Sequence, residues 1–207
     1  MKLYYTQTSP YSRKVRLLIR EKGLEQEVEE IVVDPFGDDP ELQMMNPLGQ
    51  VPTLRLNDGA TLFDSPVICE YLDSLMQERP LLPMTGGDRW LALRWQALAD
   101  GMTDAAYNIV MERRRPADTQ SPSWIGHWSR EIQRALAECE RRVVELDGDP
   151  GLAQLAVGAA IGYLDFRVPE LLYQTKCRQV AAFPRLHIWY GNFATRPSMV
   201  ATRPEVL

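Results

Sequence analysis

The stretch Gln50-Val51-Pro52-Thr53-Leu54 places a proline at the mouth of a short apolar strand. Proline lacks the N–H that a ladder needs, so it belongs at a sheet edge, and there it can sit in a cis turn. A cis Val51-Pro52 turn is expected, with the N–H and C=O of Val51 facing outward, free to pair with an extended peptide laid alongside. Phe63-Asp64-Ser65-Pro66 follows a dozen residues later. Ser65 reads as the N-cap of a helix whose first residue is Pro66, so that hydroxyl, first-turn amides and helix dipole converge on one anion, such as a carboxylate.

The residues before and after this stretch define its sheet. Residues 2–7 alternate and contain Leu3, Tyr4 and Tyr5, the composition of a buried strand. Thr8-Ser9-Pro10 marks a strand-to-helix turn. Residues 11–22 read as a helix with Val15, Leu18 and Ile19 on one face and Gly23 as its C-cap. A second strand is expected over 28–33, a short helix over 40–45, and a loop through Asn46-Pro47-Leu48-Gly49. Strands over 53–56 and 61–63, joined by Asn57-Asp58-Gly59, lead into the Ser65 helix with Ile68, Leu72 and Met76 inward. The order is βαβαββα.

The remainder reads as helical. Residues 78–87 are rich in proline and glycine and read as a linker. From Asp88, Leu91, Trp95, Leu98, Met102, Ala105 and Ile109 recur in steps of four and three, the stripe of a long packed helix. Ile125, Trp128, Ile132, Ala135, Cys139, Val143 and Leu146 repeat that rhythm after a polar loop over 117–123. Residues 152–168 contain Gly158-Ala159-Ala160-Ile161-Gly162, small enough for close helix approach, which places this helix at the centre of a bundle. A last helix is expected over 183–195.

Charge and composition exclude several functions. With a net charge of -5 and no dominant basic stripe, neither nucleic acid nor an anionic membrane is the expected partner. The basic run Arg113-Arg114-Arg115, stopped by Pro116, reads first as a solvated helix end. No apolar run approaches the ~20 residues of a membrane span, and residues 2–7 read as a strand rather than a signal peptide, so a cytoplasmic location is expected. Cys69, Cys139 and Cys177 are odd in number, widely spaced and in apolar helical contexts. They read as core thiols, with neither a disulfide framework nor a metal site expected. His127 and His187 read as structural or surface residues.

Three motifs together carry a family resemblance. Ser9-Pro10-Tyr11-Ser12-Arg13-Lys14-Val15-Arg16 resembles the serine active-site turn of the cytosolic glutathione transferases, Asn46-Pro47-Leu48-Gly49-Gln50-Val51-Pro52 their peptide-binding loop, and Asp64-Ser65 their acidic-residue-plus-serine pair. The resemblance spans the whole chain and implies an α/β plus all-α fold. It comprises a thioredoxin-like βαβαββα domain over 1–78, a linker over 79–87, and a helical bundle over 88–207. The implied protein is a bacterial-type, cytoplasmic homodimer serving detoxification.

The implied ligand is glutathione, used as a co-substrate and conjugated to a small hydrophobic electrophile, with no metal. Its thiol attacks only as thiolate, so Ser9, at a helix N-terminus, is expected to donate its O–H to the sulfur; Thr8 and Ser12 are alternatives. No histidine lies nearby to deprotonate Ser9, which disfavours a hydrolase. Val51 and Pro52 are expected to clamp the cysteinyl unit, Ser65 to hold the γ-glutamyl carboxylate, Asp64 to meet its ammonium, and Gln50 to face the glycyl end. Relatives often carry a longer acid at the Asp64 position and a basic residue at the Gln50 position; Gln50 can hydrogen-bond a carboxylate but not neutralise it. Tyr11, Tyr107, Met111 and Arg115 are expected at the electrophile site, and Asp100 or Asp104 to reach a partner subunit's glutathione. The core helix, which in relatives begins with a serine or threonine cap and an aspartate three residues on, here shows Gly151 and Gln154. Alternatives on the same fold are a glutathione-dependent peroxidase or thiol reductase, which calls for a cysteine at the turn, and a non-catalytic protein-binding module.

Overall fold

The apolar run Leu3-Tyr4-Tyr5 is buried within β1 (Lys2–Tyr5), an inner strand of a four-stranded sheet in a computed structural model that describes residues 1–173 and 181–205. β1 pairs in parallel with β2 (Glu29–Val32), Leu3 opposite Glu30. On its other side it runs antiparallel to β3 (Thr53–Arg55), Leu3 opposite Leu54. β4 (Thr61–Phe63) continues antiparallel from β3, giving the order β2-β1-β3-β4. The connecting turn uses Gly59 at φ 90°, a conformation open to glycine without a Cβ clash.

The helices of this half are α1 (Pro10–Lys22), α2 (Pro40–Met45) and α3 (Ser65–Ser74). Val15, Leu18 and Ile19 of α1 join Ile68 and Leu72 of α3 in one core with Leu3 and Leu54. Tyr4 points to a second, smaller cluster with Leu42 and Met45 of α2. α1 ends as its sequence indicates, on Gly23 at φ 67°, whose N–H reaches the Arg20 carbonyl at 3.2 Å. One expectation is corrected: α3 begins at Ser65, and its N-cap is Asp64 at φ 70°. Pro66 therefore occupies the second helical position. Proline is accommodated there because first-turn amides have no intrahelical partner to lose.

Five helices form the rest: α4 (Gly86–Arg113), α5 (Pro122–Arg142), α6 (Leu152–Arg167), α7 (Pro184–Phe193) and α8 (Pro197–Ala201). The rhythm expected to carry the second long helix through Leu146 ends at Arg142, and residues 143–146 tighten into a 3-10 turn. Residues 197–201 are helical, with Pro197 at the first position. Cys69 and Cys139 are buried free thiols, and burial pushes each up to about 12; Cys177 lies outside the described residues.

α6 is the core of the bundle: residues 152–164 are all buried. Its start lacks a side-chain cap at Gly151, yet Gln154 Oε1 reaches back to accept the Gly151 N–H at 3.0 Å, half of a capping box. The small residues admit close neighbours. A Cβ on Gly158 would meet the Phe193 ring, and one on Gly162 would lie 2.2 Å from Arg13 Nη1 and 2.9 Å from the Tyr190 hydroxyl. α1 thus belongs as much to the second half as to the first.

A buried lysine fastens the segment between α3 and α4. Lys22 Nζ donates to Asp73 Oδ1 at 2.9 Å and to the carbonyls of Asp73, Met76 and Arg79 at 3.1, 2.6 and 2.9 Å. The Asp73 carboxylate accepts the Leu81 and Leu82 amides at 2.8 and 3.0 Å. A buried charge is tolerated when it is paired and its hydrogen-bonding capacity is filled, as both are here.

Candidate functional site

The α1 N-terminus begins at Ser9, whose Oγ accepts the Ser12 N–H at 3.2 Å. This capping uses a lone pair and leaves the hydroxyl proton available to a further acceptor. The Tyr11 N–H in the same turn has no partner among the described residues. Ser12 is fully buried, whereas Ser9 and Thr8 are partly exposed. The Tyr11 side chain crosses to α4, where its hydroxyl donates to the Asp104 carboxylate. Burial, reinforced by Asp104, drives the Tyr11 phenol well above its ordinary value, so it is a neutral donor rather than a base.

The second part is the loop before β3. Val51-Pro52 is cis, and the N–H and C=O of Val51 have no partner among the described residues. Buried Asn46 shapes this loop: its Nδ2 donates to the Gln50 carbonyl at 3.0 Å and its Oδ1 accepts the Leu48 N–H at 3.0 Å. Thr53 Oγ1 donates to the same Gln50 carbonyl at 2.9 Å. The Gln50 backbone is therefore fixed while its side chain is exposed.

The third part is the α3 N-terminus. Ser65 is 1% exposed, and its Oγ has no hydrogen-bond partner among the described residues. A buried hydroxyl left unpaired is costly, and beside unpaired first-turn amides it suits an incoming anion. Asp64, exposed at positive φ, makes no capping bond with its own helix.

Tyr11 faces α4, which packs against α6. Lys14 Nζ lies 2.7 Å from both carboxylate oxygens of Asp100, and burial nevertheless holds the Asp100 carboxyl above the usual range against the pull of Lys14. Asp100 and Asp104 are thus both engaged within their own chain. Tyr107 is half exposed on α4, and Met111 Sδ accepts from Arg114 Nη1 at 3.7 Å. Arg115, expected at this site, lies 3.2 Å from Glu112 one turn back. Tyr163 and Arg167 escaped the reading of the sequence, and Arg114 entered it only within a basic run read first as a solvated helix end. The four-residue spacing of Tyr163 and Arg167, which sets them on one helix face, was the available signal. Among the described residues no group of His, Cys, Asp and Glu is arranged to hold a metal ion.

A thioredoxin-like half with a cis-proline loop, joined through α1 to an all-helical half, defines the class of two-part thioredoxin-like proteins. Comparison with known proteins narrows it. The family model described as the glutathione S-transferase N-terminal domain matches residues 8–75. The chain is 37% identical to the uncharacterized GST-like protein YibF of Escherichia coli over 171 residues, 81% of this chain and 83% of that one. It is 33% identical to a stringent starvation protein A homolog of Pasteurella multocida, covering 72% and 77% of the two chains. A glutathione transferase family member from Pseudomonas fluorescens Pf-5, solved with bound glutathione, superposes with TM-score 0.91 at 39% identity over 99% of both chains. A second structure of such a member from that organism, with bound S-(propanoic acid)-glutathione, gives 0.88 at 38% identity over 100% of both. The chain belongs to the cytosolic glutathione transferase superfamily.

Proposed function

We propose that the chain is a glutathione transferase that joins the glutathione thiolate to small electrophiles, with Ser9 as the hydrogen-bond donor to sulfur. The observation that carries this reading is the buried, unpartnered Ser65 hydroxyl at the α3 N-terminus, a vacant donor where the γ-glutamyl carboxylate would sit. Val51 supplies a free backbone N–H and C=O for the cysteinyl unit. Asp64 faces the ammonium, Pro52 shapes the clamp, and Gln50 hydrogen-bonds the glycyl carboxylate.

A free thiol titrates near ~8.5 and is mostly protonated at neutral pH, so the protein must favour its anion. The Ser9 O–H, the unpaired Tyr11 N–H and the positive end of α1 all do so. The sulfur lone pair then forms the new bond to the electrophilic carbon. The leaving group departs with its electron pair, and the thiol proton passes to solvent. Tyr11, Tyr107 and Met111 line the electrophile's side of the cleft; the S-substituted glutathione in a 38% identical structure supports a cleft that admits a group on sulfur. We place the protein in the cytoplasm in a detoxifying role, as a symmetric homodimer whose faces include exposed Phe63, Val67 and Trp90.

A thiol-reductase reading is disfavoured because the turn offers Ser9 and Ser12 where a mixed disulfide needs cysteine. A protein-binding module on the same fold is favoured by one feature: Gln50 brings no positive charge to the glycyl carboxylate.

Calorimetric titration with glutathione separates these readings. Because the Ser65 hydroxyl has no partner among the described residues, Ser65→Ala leaves folding stability unchanged or slightly improved, yet weakens glutathione binding by about 1.5 kcal/mol, the value of a hydrogen bond to a charged group. Absence of binding to the wild type at millimolar glutathione would sink the transferase reading in favour of the protein-binding module.

A further inference from the structure

Tyr163 and Arg167 stand one turn apart on α6, and the ion pair between Arg113 and Glu170 brings the end of α4, with Arg114, against the end of α6. Arg114 extends from the end of α4 to the Phe36 ring, 5.9 Å from its centroid, while Arg167 stacks 4.2 Å from the Phe166 centroid.

Arginines at helix ends are ordinarily explained by the helix dipole and by local ion pairs. That explanation covers the neighbours of Arg114. Arg113 lies 2.7 Å from Glu170, and Arg115 3.2 Å from Glu112. Neither Arg114 nor Arg167 has a carboxylate partner among the described residues, and Arg167 Nε is buried with no hydrogen-bond partner. Asp104 and Asp165, on the same two helices, are engaged by the hydroxyls of Tyr11 and Tyr173. A desolvated guanidinium N–H without an acceptor is costly, and its fork matches a planar, two-oxygen anion.

We infer that Arg114 and Arg167, with the Tyr163 hydroxyl, read a carboxylate carried by the electrophile, so that the preferred substrates are anionic and not merely apolar. The inference rests on the transferase reading and specifies its substrate class. A para-carboxybenzyl halide illustrates the chemistry. The glutathione sulfur forms the C–S bond at the benzylic carbon, halide leaves with the C–halogen electron pair, and the thiol proton goes to solvent. The carboxylate stays ionised on the two arginines throughout.

The test is calorimetric titration of three ligands: glutathione, S-(para-carboxybenzyl)glutathione and the matching S-(para-carbamoylbenzyl)glutathione. The two adducts have nearly the same shape and differ in charge. The wild type is expected to bind the carboxylate adduct about tenfold more tightly than the carbamoyl adduct, as charge-assisted hydrogen bonds replace neutral ones. Arg114→Gln and Arg167→Gln each reduce that preference to about threefold or less, Arg167→Lys restores part of it, and Arg113→Gln, whose arginine is already paired, retains it. Arg114 is exposed, so Arg114→Gln gives an answer even if Arg167→Gln does not fold. Equal binding of the two adducts by a wild type that binds glutathione overturns the carboxylate assignment and leaves the transferase reading standing, as does a preference that survives Arg114→Gln. Failure of all three ligands overturns both.

Discussion

The Ser9 hydroxyl offers its two ends to two tasks. Its oxygen caps α1 by accepting the Ser12 amide, and its proton remains free for sulfur. The bland role of a helix cap and the proposed catalytic role are therefore compatible, and one substitution separates them by size. Ser9→Ala removes the cap, for about 1 kcal/mol of stability, read in urea denaturation. It also removes the donor, so the ultraviolet titration of bound thiolate moves toward the free-thiol value and kcat/KM falls by about tenfold to a hundredfold, while KM for glutathione changes little. A Ser9→Ala protein with unaltered thiolate titration would reduce Ser9 to a cap. Tyr11 cannot take over unaided, since its hydroxyl proton is committed to Asp104.

At the scale of elements, a motif written in consecutive residues was legible and a meeting between distant helices was not. Ser9-Pro10, Val51-Pro52 and Gly23 each determine their own backbone, so the turn, the cis bond and the α1 terminus follow from local chemistry. The shift of the α3 cap from Ser65 to Asp64 is the limit of that legibility, because proline fits either of the first two helical positions. Arg114 shares no sequence window with Tyr163 and Arg167; only the meeting of α4 and α6 brings it to them. The small-residue stripe of α6 was readable as close approach, but its partner was not. Gly162 faces the Arg13 guanidinium from α1, rather than another helix of the bundle alone. Gly162→Ala is therefore expected to cost about 1–3 kcal/mol through overpacking. Gly101→Ala on α4, where a Cβ meets nothing within 4 Å, is expected to gain about 0.5–1 kcal/mol. Denaturation midpoints of the pair check both signs, and a neutral Gly162→Ala would show that Arg13 can withdraw freely.

In the whole molecule, α1 is the member on which both halves close. Arg13 Nη2 reaches the Met199 carbonyl at 3.1 Å, Lys14 holds Asp100, Lys22 gathers the connecting segment, and Glu21 binds Arg196 and Ser198 ahead of and within α8. The helix that presents Ser9 is thus positioned by contacts along its entire length, and loosening its far end is a way to disturb the sulfur site. Glu21 gives that coupling a pH dependence. Burial alone would raise its carboxyl, but hydrogen bonds from Arg196 and Ser198 outweigh burial and hold it below its ordinary 4.5. A carboxylate depressed in the folded state stabilises fully above its unfolded value, and the contribution is lost as pH falls below 4.5 through the folded-state value. Glu21→Gln should accordingly lower Tm at neutral pH, and the gap to wild type should narrow steadily on acidification below 4.5, as the wild-type carboxylate is itself neutralised. Thermal melts across that range decide it. A gap as wide at the acid end as at neutral pH would mean that Glu21 anchors α8 by packing rather than by charge.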